Sequence, residues 1–270
     1  DLNLVSNIEL KELNIKNQSS IKEYLPKTKE ILNLKDHKIE LNYQDNVISV
    51  KGLGKIKLEK ELNRIEYFFS KKDKKYNFKT ALDINDTPIK IDIINYKKDK
   101  DLNSQLKING NYNKKFGLNL KKVSLLSKNN SLIANDLKID KNNKLSKVDK
   151  IDLDYFDNDN LRNKYVLSRV KNNNYEVKGS LLNADTIITN LLESKDDQQL
   201  DFFKENINIT LNFSNVYLDK DNIVQNLNGK LKILDNKVNQ ANITALFDNN
   251  ENFTFTINTR NDEKITTLFS

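Results

Sequence analysis

In Phe253-Thr254-Phe255-Thr256-Ile257-Asn258 every apolar residue alternates with a polar one. Successive side chains of an extended chain point to opposite faces, so this segment predicts a strand with one oily and one wet face. The same alternation returns in Lys38-Ile39-Glu40-Leu41-Asn42-Tyr43, Ile89-Lys90-Ile91-Asp92-Ile93, Leu106-Lys107-Ile108-Asn109 and Ile151-Asp152-Leu153-Asp154-Tyr155. It is present again in Ile207-Asn208-Ile209-Thr210-Leu211-Asn212-Phe213 and Leu231-Lys232-Ile233. The candidate face therefore consists of Ile39, Leu41, Ile89, Ile91, Ile93, Leu106, Ile108, Ile151, Leu153, Ile207, Ile209, Leu211, Phe213, Leu231, Ile233, Phe253, Phe255 and Ile257. Each such side chain gains roughly 1.5–3 kcal/mol on burial, so the whole face demands a cover.

Between these segments lie short polar turns: Gln44-Asp45-Asn46, Lys128-Asn129-Asn130, Lys141-Asn142-Asn143, Lys171-Asn172-Asn173-Asn174 and Asp248-Asn249-Asn250-Glu251. Asn and Asp tolerate the left-handed backbone of tight hairpins. Sequential strands with short turns predict an all-β fold, a long antiparallel meander of about 17 strands. A sheet that wide has to curl, which predicts a U-shaped sheet with a hydrophobic inner face. Gly52, Gly110, Gly179 and Gly229 each follow a strand-like segment and suit either bulges that help the curl or ordinary turns. One or two short helices complete the picture. Ser19 to Leu34 has a capping box in Ser20 and Glu23 and a break near Pro26. Asn183 to Leu192 has Asp185 as a cap and Ile187, Ile188, Leu191 and Leu192 on one face. The charged stretch Glu193 to Leu200 then marks a boundary, giving a groove-forming segment 1–194 and its continuation 195–270.

Composition narrows the partners. Hydrophobic residues are 37% and charged residues 31%, a balance for a thin core and a wide surface. The net charge of +7 comes almost entirely from lysine spread among Asp and Asn, with Arg64, Arg162, Arg169 and Arg260 as the arginines. Nucleic-acid readers cluster arginine beside base-stacking aromatics, so no nucleic-acid partner is expected. The densest basic stretch, Lys71-Lys72-Asp73-Lys74-Lys75, falls at an expected hairpin turn. The Asn-x-Ser/Thr matches, such as Asn208-Ile209-Thr210, are what an Asn-rich chain makes by chance. No run approaches the ~18 apolar residues of a membrane span, and the opening Asp1-Leu2-Asn3-Leu4 reads as an interior piece or a mature product.

Catalytic and metal chemistry find little support. Zero cysteines excludes disulfides, thiolate zinc sites and thiol catalysis. The single histidine, His37, is expected exposed in a polar turn, and no Gly-x-Ser-x-Gly elbow accompanies it. An EF-hand starting at Asp157 would require glycine and glutamate where Arg162 and Ser168 stand, so a solvated turn is the expectation there. Gly52-Leu53-Gly54 is a fragment of a phosphate loop without its third glycine. The chain reads as a non-enzyme with no cofactor and no metal.

Residues 175–270 carry a resemblance. Tyr175-Glu176-Val177-Lys178-Gly179 runs into Ser180-Leu181-Leu182-Asn183-Ala184-Asp185-Thr186-Ile187-Ile188, a strand ending in glycine before a short helix. Strand pairs follow at Leu227-Asn228-Gly229-Lys230-Leu231-Lys232-Ile233, Ala241-Asn242-Ile243-Thr244-Ala245-Leu246-Phe247 and Phe253 to Ile257. This arrangement resembles AsmA-like proteins of the YhdP type. The resemblance implies a periplasmic β-groove anchored to the inner membrane through a helix outside this chain. It also implies carriage of phospholipid acyl chains between the inner and outer membranes of Gram-negative bacteria, with neighbouring β-sheet segments of a longer protein as partners. The alternative is a structural or adhesive β-protein with a self-packed core, and third a hydrolase on a β scaffold. An open apolar trough favours the first, a dry interior the second.

Overall fold

The computed structural model describes residues 3–16, 25, 27–99, 102–142, 144–188, 206–235, 237–260 and 263–269. It is nearly all β: of 19 strands among these residues, 17 belong to one largely antiparallel sheet that is not closed into a barrel. The chain divides into two compact units, Asp1–Lys141 and Asn142–Ser270. The boundary expected at 194/195 lies outside the described residues.

In the first unit, β1 (Leu4–Lys16), β2 (Ile31–Gln44), β3 (Val47–Lys57), β4 (Leu62–Lys72), β5 (Lys75–Asp83), β8 (Ser104–Asn113), β9 (Gly117–Ser127) and β10 (Ser131–Ile139) pair in that order, all antiparallel. The expected turns close these hairpins. Asp45 and Asn46 both take positive φ between β2 and β3, and Asp73 does so between β4 and β5, as a tight two-residue turn requires. A separate hairpin, β6 (Ile89–Ile91) with β7 (Tyr96–Lys98), is inserted between β5 and β8. Its turn is a single 3-10 turn, Asp92–Ile94, closed by Asn95 in the left-handed region. Ile89, Ile91 and Ile93 therefore leave the main sheet, contrary to the strand expected through Ile93, and Ile93 is exposed.

The second unit contains β11 (Leu145–Lys147) and the ladder β12 (Lys150–Phe156), β13 (Arg162–Lys171), β14 (Asn174–Asn183), β15 (Ile207–Tyr217), β16 (Ile223–Leu234), β17 (Lys237–Phe247), β18 (Asn252–Arg260) and β19 (Glu263–Phe269). One pairing breaks the meander: β14 and β15 run parallel, with Asn174 beside Asn208 and Asn183 beside Tyr217. A parallel neighbour needs a crossover rather than a hairpin.

The helix expectations are corrected in part. Ile31 to Leu34 belong to β2, where Leu32 and Leu34 pair with Ile15 and Leu13, so sheet pairing overrides a helical reading there. Ser20, Glu23 and Pro26 lie outside the described residues, as do Leu191 and Leu192. A helical turn does open at Asp185, and the Ile188 N–H donates to the Ala184 carbonyl at 2.8 Å. Asp185 is its first helical residue rather than its cap; the Asp185 N–H donates to Asn183 Oδ1 at 3.2 Å.

Buried polar clusters tie strand ends together, with the same plan in each unit. In the first, Asn63 donates to Asp86 Oδ1 (2.9 Å) and its Oδ1 accepts the Asn85 N–H (3.3 Å). In the second, Asn163 donates to Asp157 Oδ2 (2.9 Å) and its Oδ1 accepts the Asn183 N–H (2.8 Å). Asp157 also accepts from Asn183 Nδ2 and from the N–H groups of Asp159 and Leu161. Asp157 itself is buried at the strand end, while the turn that follows it, with Asn158 and Asn160 exposed, is the solvated turn expected there. Burial opposes ionisation of Asp86, but the Asn63 amide and the Glu61 and Lys60 N–H groups outweigh it and hold the carboxyl below its usual range.

Candidate functional site

Residues paired across a ladder share a face, so the register of the first unit can be read as rows crossing its eight main-sheet strands. One row runs Leu10, His37, then Gly54, Ile65, Leu82, Leu106, Leu125 and Leu132. Next on the same face is Ile8, Ile39, Gly52, Tyr67, Thr80, Ile108, Val123 and Ala134. Then come Ser6, Leu41, Val50, Phe69, Phe78, Gly110, Leu120 and Leu137, and finally Leu4, Tyr43, Ile48, Lys71, Tyr76, Tyr112, Leu118 and Ile139. The rows continue through two irregularities: β2–β3 shifts between Lys35 and Lys38, where Asp36 takes positive φ, and β8–β9 shifts at Asn109/Gly110, beyond which Asp136 of β10 also takes positive φ.

Exposure rises from one end of this face to the other. In the first row Leu125 and Leu132 are 6% and 7% exposed and His37 1%. Ile8 is 44% exposed and Phe69 36%; in the last row Leu4 is 52% and Ile48 40%. The closed end is where the β6–β7 hairpin sits. Lys98 donates from Nζ to the Asn85, Thr87 and Asp99 carbonyls at 3.0–3.1 Å. Ile84, Ile89 and Tyr96 are buried there. Burial pushes the Tyr96 phenol above its usual range, against the opposing hydrogen bond with Asn130 of the β9–β10 turn. The open end is bordered by the lysine-bearing turns after β4 and β8.

His37 is not the exposed turn residue expected from its polar neighbours. It lies within β2, with Nε2 2.9 Å from the Lys55 carbonyl and Nδ1 3.2 Å from the Tyr67 hydroxyl. A Cβ on Gly54 would stand 2.3 Å from its ring, and one on Gly52 would stand 2.1 Å from the Tyr67 ring. The two glycines thus make room for the His37 and Tyr67 rings. Gly110 and Gly179 mark bulges, as one of the two expectations held.

The second unit repeats the apolar rows and covers them except at the last strand, where Leu268 is 63% exposed. Ile151, Leu167, Val177, Leu211, Gly229, Ile243, Phe255 and Leu268 form one row across its eight ladder strands. Phe213, Val216, Val224, Leu227, Phe253, Phe255 and Ile257 pack into a buried cluster with Ala241 and Ala245, flanked by Ile209, Leu211, Leu231 and Ile188. Leu153, Ile207 and Ile233 are buried as well. Tyr165 meets Phe213 edge to face, centroids 5.9 Å apart, and burial pushes its phenol up to about 12.

The predicted face thus resolves into three groups. Ile39, Leu41, Leu106 and Ile108 meet on the half-open face of the first unit; Ile89, Ile91 and Ile93 sit in the inserted hairpin; the remaining eleven residues share the covered face of the second unit. Alternation did not reveal the row Tyr43, Lys71, Tyr76 and Tyr112. Its signal was present as aromatics ending strands beside lysine-rich turns. A concavity of about 780 Å³ in the first unit is bordered by side chains of its opposite face, with Ile8, Ile39, Gly52 and Tyr67 also in its lining. It runs between the rows Asn7-Glu40-Lys51-Phe68-Lys79 and Glu9-Lys38-Leu53-Glu66-Ala81. Among the described residues there is no cluster of three or more His, Cys, Asp or Glu suited to a metal, and no helix long and apolar enough to cross a membrane. No family model, no curated protein and no solved structure matches the chain.

Proposed function

We propose that the first unit holds phospholipid acyl chains on its half-open apolar face, as part of a non-enzymatic lipid carrier. The exposure gradient across its four rows carries this reading. From Leu10 to Leu4 is six residues, or about 20 Å of strand. An acyl chain spans about 15 Å, half of a bilayer's ~30 Å hydrocarbon thickness. A chain laid along the strands with its tail at the covered end would bring its head to the open one. Across the strands the face extends about 34 Å, seven spacings of ~4.8 Å, room for several chains side by side and for sliding between them. Few polar groups interrupt the three rows nearest the closed end, so such holding would be non-specific. The periplasmic setting, the membrane-anchored AsmA-like context and the adjoining sheet segments as partners belong to the same proposal. For the second unit the packed cluster favours the structural reading, a rigid sheet that covers itself.

The test is mass spectrometry of lipid co-purifying with the chain, wild type against Ile8→Asp/Phe69→Asp. Both positions are exposed enough for charge to be tolerated by the fold. Stoichiometric phospholipid in the wild type and its loss in the folded variant is the expected outcome. A folded, lipid-free wild type, or a variant that keeps its lipid, would sink the proposal. Aspartate at Ile209 or Phe255 would instead test folding, since both belong to the packed second unit.

A further inference from the structure

The open margin of the apolar face is chemically unlike the rest of it. Tyr43, Lys71, Tyr76 and Tyr112 stand there in one row, each beside the next except for Ile48 between Tyr43 and Lys71. Lys71 Nζ lies 5.8 Å from the Tyr76 ring centroid, and the Tyr76 ring meets those of Phe69 (5.7 Å) and Tyr112 (6.1 Å) in tilted contacts. Tyrosine is favoured where one end of a side chain meets oil and the other water. A second concavity, about 200 Å³, opens at this margin, lined by Tyr43, Asn46, Ile48, Lys71 and Asp73. Its floor is apolar through Ile48, while its walls carry one cation, one carboxylate and one amide.

Its hydrogen bonding is arranged for a ligand with both charges. The Tyr43 hydroxyl donates to Asn46 Oδ1 at 2.9 Å, which leaves the Asn46 amide nitrogen as a donor and the tyrosine oxygen as an acceptor. Lys71 and the Asn46 amide thus offer donors to an anion, and Asp73 and the Tyr43 oxygen offer acceptors to an ammonium. At ~30 Å³ for each water-sized group the space holds about six or seven of them, comparable to a phosphate joined to a two-carbon amine.

We infer that this margin is a headgroup subsite for a zwitterionic aminophospholipid, with its phosphodiester on Lys71 and Asn46 and its ammonium on Asp73. The inference rests on the acyl-chain reading above and adds to it what selects the lipid. A purely anionic head meets the Asp73 carboxylate, and a head without phosphate leaves Lys71 unmatched. Exposed ion pairs are worth up to about 1 kcal/mol, so each contact contributes up to about fivefold in affinity.

The experiment is transfer of lipids carrying one and the same fluorescent acyl chain from neutral vesicles to the whole chain. The lipids are phosphatidylethanolamine, phosphatidylglycerol and diacylglycerol, with soluble phosphoethanolamine as competitor. The expected order is phosphatidylethanolamine ahead of phosphatidylglycerol by up to about fivefold, one contact being lost, and ahead of diacylglycerol by up to about 25-fold, both being lost. Lys71→Gln should cut the advantage over diacylglycerol up to about fivefold, and Asp73→Asn should raise phosphatidylglycerol to parity. Free phosphoethanolamine should not compete, because the chains supply most of the affinity. Equal uptake of all three lipids, unchanged by Lys71→Gln, overturns the subsite while leaving the acyl-chain reading intact. Competition by phosphoethanolamine alone overturns the lipid origin of the head. Uptake of none overturns both readings.

Discussion

Replacing Ile257 by alanine should cost far more than the same change at Ile8, although both isoleucines lie in alternating strands with apolar neighbours across the ladder. Ile257 is wholly buried, opposite Ala241 in the register and in a cluster that includes Phe253 and Phe255. Small neighbours such as Ala241 and Ala245 cannot swing into the space that is left. Of the 2–5 kcal/mol typical for such truncations the upper part applies, about 4 kcal/mol. Ile8 is 44% exposed, so its loss removes roughly half of an ordinary burial gain, about 1 kcal/mol, and leaves no enclosed void. The expected contrast is therefore ~3 kcal/mol. The chain has 10 tyrosines and no tryptophan, so urea unfolding would be followed by tyrosine fluorescence together with far-ultraviolet circular dichroism. With a slope of ~1–3 kcal/mol per molar urea, Ile257→Ala should lower its transition by at least about 1 M more than Ile8→Ala does. Midpoints closer than about 0.3 M would refute the claim that one face is packed and the other open.

Three further outcomes follow from the same geometry. Asn163→Ala removes a donor from buried Asp157 and an acceptor from the Asn183 N–H, and should cost about 2–3 kcal/mol in urea unfolding; a loss under ~0.5 kcal/mol would show that the network is not needed. Burial pushes the phenols of Tyr155 and Tyr165 above the usual range, Tyr165 up to about 12; with folded pKa values above the unfolded one, their contribution to stability is complete below about pH 10 and is lost as pH rises through about 12. In a spectrophotometric titration these two should ionise only together with loss of the circular dichroism signal, and early ionisation of all tyrosines would contradict it. Gly54→Ala puts a Cβ 2.3 Å from the His37 ring; it should displace the ring and cost about 1–3 kcal/mol, whereas a wild-type histidine spectrum in nuclear magnetic resonance would show that the ring has room to spare.

Much of the sheet was legible from alternation alone, since a period of two is what a half-buried strand imposes on a sequence. The turns were legible for a local reason as well: Asp45, Asn46, Asp73 and Asn172 take positive φ where an Asx residue was read as a turn. Two failures have local causes too. Ile89-Lys90-Ile91-Asp92-Ile93 has the pattern of a five-residue strand, but Asn95 turns the chain back before it can join the sheet. His37 sits among charged residues, and nothing within its own segment says that Gly54 on the next strand leaves it a space. The row Tyr43-Lys71-Tyr76-Tyr112 joins residues up to 69 positions apart, so only the register assembles it.

What alternation does not encode is whether an apolar face stays open, and here a single difference in pairing separates the two units. In the first, β5 and β8 are antiparallel with Asp83 beside Gln105, so the chain re-enters the sheet at the end where it left. The intervening β6–β7 hairpin remains at that end, and the far end of the face, out at Tyr43 and Lys71, stays accessible. In the second, β14 and β15 are parallel, so to begin β15 beside Asn174 the chain has to travel back the length of β14, about 33 Å at 3.3 Å per residue. The described start of that return is the turn opening at Asp185, which packs Ile188 onto the cluster containing Phe213 and Val216. Two faces with the same alternating code thus differ at their connections: one returns at once, and the other opens with a turn that packs Ile188 onto the covered face. If that packing holds the face shut, Ile188→Asp should raise the solvent exchange of amides around Val216 and Val224 while leaving the first unit unchanged. Unaltered exchange in the second unit would mean that its core is held shut by the sheet's own side chains rather than by the turn that leads away from β14.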